Sequence, residues 1–292
     1  TIVFFSMLIL LFLNVNICKS QTIPFSWGIN NSGQLGNGNV FWSPVQIGTG
    51  EDWAVISCGY YHTVGIKTDG TLWVWGSNTE GQLGDGTNIK RNTPVQIGTA
   101  TDWASVSSGM DYTIAIKTDG TLWAFGDNTH GQLGDGTDLD RNRPIQIGTG
   151  TDWASVSCGA YHTLAIKTDG TLWAWGGNYD GQLGDGTTNN SSVPVQIGVE
   201  SNWNEVNCGD WHTLAIKNNG SLWAWGWNGY GQLGDGTNNS SSTPVQIGTS
   251  TEWFLVSGAG FHTSAIKNDG TLWAWGSNEY GQLGDGTFNS SN

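Results

Sequence analysis

The heptapeptide GQLGDGT begins at Gly81, Gly131, Gly181, Gly231 and Gly281, always 50 residues apart, and a near copy, GQLGNGN, begins at Gly33. A fixed period in this range marks a chain built from one supersecondary unit used over and over, as in solenoids, propellers and arrays. Such a unit cannot bury its apolar face alone, so neighbours must stack and the whole becomes one continuous domain. The period also sorts the residues. Those shared by every copy serve the scaffold, and those that differ between copies are where a function can be written without disturbing it.

The copy at 94–143 shows what one unit folds into. Residues 94–98, PVQIG, read as a short strand with proline at its first residue, where a missing N–H does least harm. Trp103 opens a second strand over 104–107, and Ser108-Gly109 turns the chain into a third over 112–117. Asp119-Gly120 reads as a two-residue hairpin loop that demands positive φ and leads into a fourth strand over 121–126. In the sister strand TLWVWG at 71–76, alternation sends Leu72 and Val74 to one face and Trp73 and Trp75 to the other.

A strand apolar on both faces belongs to a sheet covered on both sides. Ordering one unit of this length costs on the order of 50 to 100 kcal/mol of backbone entropy, which a lone sheet with half its tryptophans wet cannot offset. The 18 Trp and 45 Gly, beside only 12% charged residues, suit tight turns around large buried rings. The expected fold is therefore all-β: four-stranded blades stacked face to face about an axis. The domain spans 21–292, with a partial first blade at 25–43 and repeats at 44–93, 94–143, 144–193, 194–243 and 244–292.

The repeated segment CG-x-x-HT-x-x-IK-x-DG-x-LW-x-WG-x-N-x-x-GQLGDG closely resembles the regulator of chromosome condensation repeat family, over nearly all of 25–292. The resemblance implies a β-propeller, usually of seven blades, with the ring closed by strands from the two chain ends. On that expectation about 85 to 90 further residues belong after Asn292. It implies less about activity, because the family includes nuclear nucleotide-exchange factors, ubiquitin-ligase domains, a plant ultraviolet photoreceptor and a secreted bacterial inhibitor of β-lactamase.

Strand direction puts the turns at 59–61 and the segments after the fourth strand at one end, and the Asp-Gly hairpins at the other. The residue before the His-Thr pair is Tyr61, Asp111, Tyr161, Trp211 and then Phe261; the residue before GQLG is Glu80, His130, Asp180, Tyr230 and then Tyr280. Tyr179 and Trp227 belong to the same variable end. Varying aromatics on a rigid frame suit a protein-binding surface, since interface centres are enriched in Tyr and Trp. The candidate binding residues are thus Tyr61, Asp111, Tyr161, Tyr179, Trp211, Trp227, Tyr230, Phe261 and Tyr280. Members of the family it resembles bind partners through loops at one end of the ring.

Other chemistry finds little support. Cys58, Cys158 and Cys208 each precede a histidine by four positions, but a structural zinc site needs four ligands at one point and these pairs belong to different blades. They read as buried free thiols, and the His-Thr pairs as partners for turn backbone. Asp85, Asp135, Asp185, Asp235 and Asp285 read as turn formers, lacking the alternating carboxylates of a calcium loop. Trp211 in GDWHT resembles the photoreceptor's tryptophan motif without its arginine. No nucleophile elbow, phosphate-binding glycine loop or isolated acid pair occurs, so the chain reads as a non-enzyme with no cofactor and no metal.

A net charge of −14 with ten Lys plus Arg leaves no basic stripe for a nucleic-acid backbone. The apolar run at 2–15 has the length of a signal-peptide core and is too short to read first as a membrane span. A signal at 1–20 with cleavage before Gln21 is expected, with lipidation of Cys18 as the alternative. Sequons at Asn189 and Asn238 fall in loops. The expectation is a secreted or surface-displayed propeller that binds a protein ligand. Nucleotide exchange on a small GTPase, or glycan binding, stand as alternatives.

Overall fold

The computed structural model describes residues 25–28, 30–36, 41–48 and 52–292. The expected signal segment, Cys18 and parts of the partial first blade lie outside them. Every regular element among the described residues is a β-strand. A hairpin of β1 (Phe25–Gly28) and β2 (Phe41–Gln46) is followed by a four-stranded antiparallel sheet, β3 (Trp53–Cys58), β4 (His62–Lys67), β5 (Leu72–Gly76) and β6 (Arg91–Gln96), paired in chain order. The same meander recurs at 103–146, 153–196 and 203–246, and a three-stranded sheet at 253–276 gains an edge through a bridge between Gly276 and Ser291. Five blades of one design follow one another, as the period predicts.

Two local expectations need correction. The strand containing PVQIG starts at Arg91 and closes the preceding sheet by pairing with β5, so a blade runs 53–96 rather than starting at Pro94. Pro94 sits inside that strand, at the register irregularity between Val74 and Gly76, which an outermost edge strand tolerates because the missing N–H faces no partner. The Asp-Gly hairpin is a longer turn: Lys117 N donates to Thr121 O and Gly120 N to Lys117 O, and among the described residues none other than glycine takes positive φ. That is the three-residue loop with a left-handed glycine at its end, which matches strand twist without straining Asp119.

The core lies between blades. Val64, Ile66, Leu72, Val74, Leu83 and Ile97 of one blade close against Trp103, Val106, Ala115 and Phe125 of the next, and the following interfaces repeat the arrangement. Burying each such side chain is worth roughly 1.5 to 3 kcal/mol. Trp75 is 1% exposed, and the rings of Trp53 and Trp75 meet edge to face at 5.6 Å. In the last sheet, where no following blade covers it among the described residues, Leu272 is 66% exposed although its equivalent Leu222 is fully buried.

The shared heptapeptide is the clasp between blades. Gln132 O accepts from Thr163 Oγ1 and Trp175 Nε1, both at 2.9 Å, and Gln182 O and Gln232 O do the same for Thr213 with Trp225 and for Thr263 with Trp275. Gly134 has φ +79° and lies so close to the Trp175 ring that a Cβ there would come within 2.8 Å of Nε1, so only glycine serves. His62 Nε2 lies 3.1 Å from Thr113 Oγ1 of the next blade, and His162 and His212 reach Thr213 and Thr263 likewise. The threonines thus serve turn backbone in the preceding blade, as expected of the pair, while the histidines reach the threonine of the next blade and join the two. Burial of these imidazoles, fully out of water, holds all three at about 3.

Candidate binding face

The two ends differ in chemistry because the blade meander sends different segments to each. At the invariant end, Lys67 Nζ lies 4.6 Å from the Trp73 ring centroid and 3.1 Å from Asp52 Oδ2, and the pattern recurs at Lys117, Lys167 and Lys217, with Glu200 replacing the aspartate in the last. Lys267 lies over Trp253 and Trp273. These cations are absorbed by the scaffold through ring quadrupoles and neighbouring carboxylates.

At the other end, the innermost turns approach the axis. Tyr60 N donates to Met110 O, Met110 N to Ala160 O, Ala160 N to Asp210 O and Asp210 N to Ala259 O, over 3.2 to 3.4 Å, linking five blades in succession. Beneath them the inner strands are laced together, Ser57 Oγ accepting from Ser108 N at 2.9 Å and Asn207 Oδ1 from Gly258 N at 2.7 Å. Inside this belt Tyr60 Oη donates to Asp210 Oδ2.

Around the belt stand the rings expected from sequence. His130 lies 4.8 Å from Tyr161 and 5.6 Å from Tyr179, and Tyr161 lies 5.4 Å from Trp211, making one cluster across three blades. Trp227, Tyr230 and Phe261 form a second, with centroids 5.3 to 5.8 Å apart. Among the described residues Tyr61 has Tyr60 as its ring neighbour, while Tyr280 is 55% exposed and has none. Tyr161, Trp211, Trp227 and Tyr230 are half-buried, so these four rings, expected from sequence to be exposed, are instead packed against neighbouring rings, most of them edge to face and Tyr161 tilted on Trp211. Asp111 points inward, accepting from Gln82 Nε2 at 2.7 Å.

Partial burial and crowding of carboxylates shape the local electrostatics. Burial raises the Asp111 pKa against the Gln82 bond, and Asp127 and Glu80 raise it further. Burial also raises Asp180, and it raises Asp210 against the lowering effect of the Tyr60 hydroxyl. The Tyr161 hydroxyl is held up by burial and then by Asp127, Asp111 and Asp210.

No group of three or more His, Cys, Asp or Glu placed to hold a metal occurs among the described residues. The cysteines among the described residues are free; Cys208 is buried and Cys158 half-buried, but Cys58 is exposed, contrary to the expectation of three buried thiols, because no described sheet covers that side of its strand. Burial pushes the Cys158 thiol up to about 12.

Sequence reasoning missed Tyr60 and Asp210, although a signal existed. The column holding them reads Tyr60, Met110, Ala160, Asp210, Gly260 and is as variable as the columns singled out. It also missed the glutamines of GQLGDGT, whose invariance hid that their side chains meet different neighbours in each blade.

The sequence profile of the RCC1-like domain matches residues 16–292. No curated protein matches. Among solved structures, human WBSCR16 superposes with a TM-score of 0.81 at 21% identity, covering 91% of this chain and 75% of its own. Yeast RCC1 (Prp20), crystallised bound to Kap60, gives 0.82 at 19% identity, with 93% and 70% covered. Prp20p of Saccharomyces cerevisiae, described with its binding properties to Gsp1p and histones, gives 0.79 at 19%, with 90% and 68% covered. At these identities the likeness concerns the fold.

Proposed function

Because the chain belongs to the RCC1-like domain family, we propose that it is a non-enzymatic propeller scaffold that binds another protein through its aromatic end. The observation that carries this reading is the pair of ring clusters, Tyr179–His130–Tyr161–Trp211 and Trp227–Tyr230–Phe261, set on a frame whose repeated tryptophans are spent on packing. Half-buried, mutually braced rings lose little rotamer freedom on binding, which is why such residues serve as interface anchors. The apolar run at 2–15 supports action outside the cell or at its surface.

The test is co-precipitation from the extracellular milieu, comparing the unchanged protein with Y161A, W211A and F261A singly and combined, and with F254A on an inner strand outside both clusters. Loss of a specific partner in the ring variants, with retained circular dichroism and an unaffected F254A, supports the reading. Equal capture by all variants overturns it. A second reading, guanine-nucleotide exchange on a small GTPase, is favoured by the superposition on yeast RCC1 and is tested by nucleotide release with the leader removed. Glycan binding through the same rings is tested on a glycan array.

A further inference from the structure

The aromatic end carries charge as well as rings. Glu80, Asp111, Asp127, Asp180 and Asp210 lie among or beside the two clusters, and among the described residues none of them pairs with a lysine or arginine. They are close enough to act on one another: Asp127 and Glu80 on Asp111, and Asp111, Asp127 and Asp210 on Tyr161. Most of the described cations are engaged elsewhere, and Lys90 and Arg143 form no ion pair with these carboxylates. Five lysines sit over tryptophans at the far end, and Arg91 and Arg141 bind Asp85 and Asp135. A fold that holds like charges together without a counter-charge spends stability on that surface and offers it to a cation.

A second observation is independent of charge. The GQLG glutamine amide has an acceptor in the earlier blades, where Gln82 Nε2 donates to Asp111 Oδ1 and Gln132 Nε2 to Asp127 Oδ2. In the next two blades both acceptor positions are lost: Gly177 and Trp211 stand near Gln182, and Trp227 and Phe261 near Gln232. Gln182 Nε2 and Gln232 Nε2 are accordingly buried donors with no partner, one blade apart, beneath the rings. Buried donors are almost always satisfied, so two orphans at one surface point to acceptors supplied from outside.

We propose that this end docks a lysine- or arginine-bearing loop or tail of the partner protein, its cationic side chains lying on Tyr161 and Trp211 between Asp111, Asp127 and Asp210, and its backbone carbonyls accepting from Gln182 and Gln232 as the rings that cover them shift aside. The assignment rests on the end face being a protein-docking surface and names what docks. Cations over ring faces flanked by carboxylates gain from both the quadrupole and the charge, and a peptide supplies the carbonyls that the glutamines lack.

Fluorescence anisotropy with labelled peptides tests it: an arginine-rich peptide, its citrulline analogue, an acidic peptide and a neutral aromatic one. The arginine peptide should bind, weaken about tenfold when salt rises from about 0.05 to about 0.3 M, and bind about fivefold or more weakly to D111N/D127N. The citrulline analogue should bind at least about tenfold more weakly. Q182L and Q232L should lower affinity without changing the salt dependence, and circular dichroism and thermal melts confirm that each variant is folded. Equal binding of arginine and citrulline peptides, or no binding of any peptide, overturns the proposal. If the acidic or neutral peptide binds and W211A abolishes it, the docking surface stands and its cationic partner falls; if only glycans bind, both fall.

Discussion

Tyr60 and Asp210, 150 residues apart, share a hydrogen bond at the centre of the molecule. The contact exists only because successive blades turn about a common axis, bringing the innermost turn of one blade against that of another three blades on. A straight stack of the same sheets would leave the two far apart.

This bond is expected to contribute to closure of the inner belt. Y60F and D210N should each lower stability by about 1 kcal/mol, with a coupling energy of similar size in the double-mutant cycle, since hydrogen bonds to charged groups are worth about 1.5 to 3 kcal/mol when shielded and less here, where water reaches the pair. Y60F should also raise the Asp210 pKa, because the hydroxyl is the one group lowering it. Urea titrations and carboxylate NMR check both; a coupling indistinguishable from zero removes the bond's role.

Acid should unfold the protein through its histidines. His62, His162 and His212 are held near 3 by burial, against about 6.5 in an unfolded chain. A depressed histidine leaves stability intact above the unfolded pKa and removes it as pH falls from about 6.5 toward about 3, where the unfolded state binds protons that the fold excludes. Three such groups give a slope of up to about 4 kcal/mol per pH unit. Chemical denaturation from pH 7 to 4 should show it, and uptake of clearly fewer than three protons on unfolding near pH 5 would sink the assignment.

Glu205 works in the opposite direction. Its carboxyl is raised to about 7 by burial between inner strands, partly offset by a backbone hydrogen bond from Val256. The protonated form is favoured in the fold, so stability declines as pH rises from about 4.5 through about 7, by at most about 3 kcal/mol and by less to the extent that water reaches the group. E205Q should flatten this decline and stabilise the protein at pH 8. An unchanged pH profile in E205Q argues that the carboxylate is solvated.

Gly134 tests the clasp. G134A forces a Cβ against the Trp175 ring at φ +79°, so it should destabilise by about 2 to 4 kcal/mol, combining left-handed strain with overpacking. G236A, at φ +80° with open space around its Cβ, should cost only the conformational part, about 1 to 2 kcal/mol. Similar losses in both would mean that the close approach to tryptophan adds nothing.

The legible part of this protein was whatever the fifty-residue period or the two-residue alternation encodes. The LWVWG strand announces burial on both faces, and Val74 and Trp75 are both buried. Ring positions 161, 211, 227, 230 and 261 were found because they break the period where the meander turns. The strand carrying Pro94 was assigned to the wrong sheet because a repeat can be cut anywhere, while hydrogen bonding alone says that it closes the blade before it. The thiols at 58, 158 and 208 read alike in the sequence, yet they are exposed, half-buried and buried in turn, because burial depends on a neighbouring sheet that periodicity does not place.

Sequence alone determined the blade, its turns and the two unlike ends, because these follow from short-range rules: alternation, turn glycines and a repeated clasp. Only the tertiary structure decided which copies meet. The Tyr60–Asp210 bond depends on rotation accumulated from blade to blade, and the ring clusters and the surroundings of Gln182 and Gln232 depend on how neighbouring blades pack. That rotation is a property of packing between sheets, and no single repeat contains it.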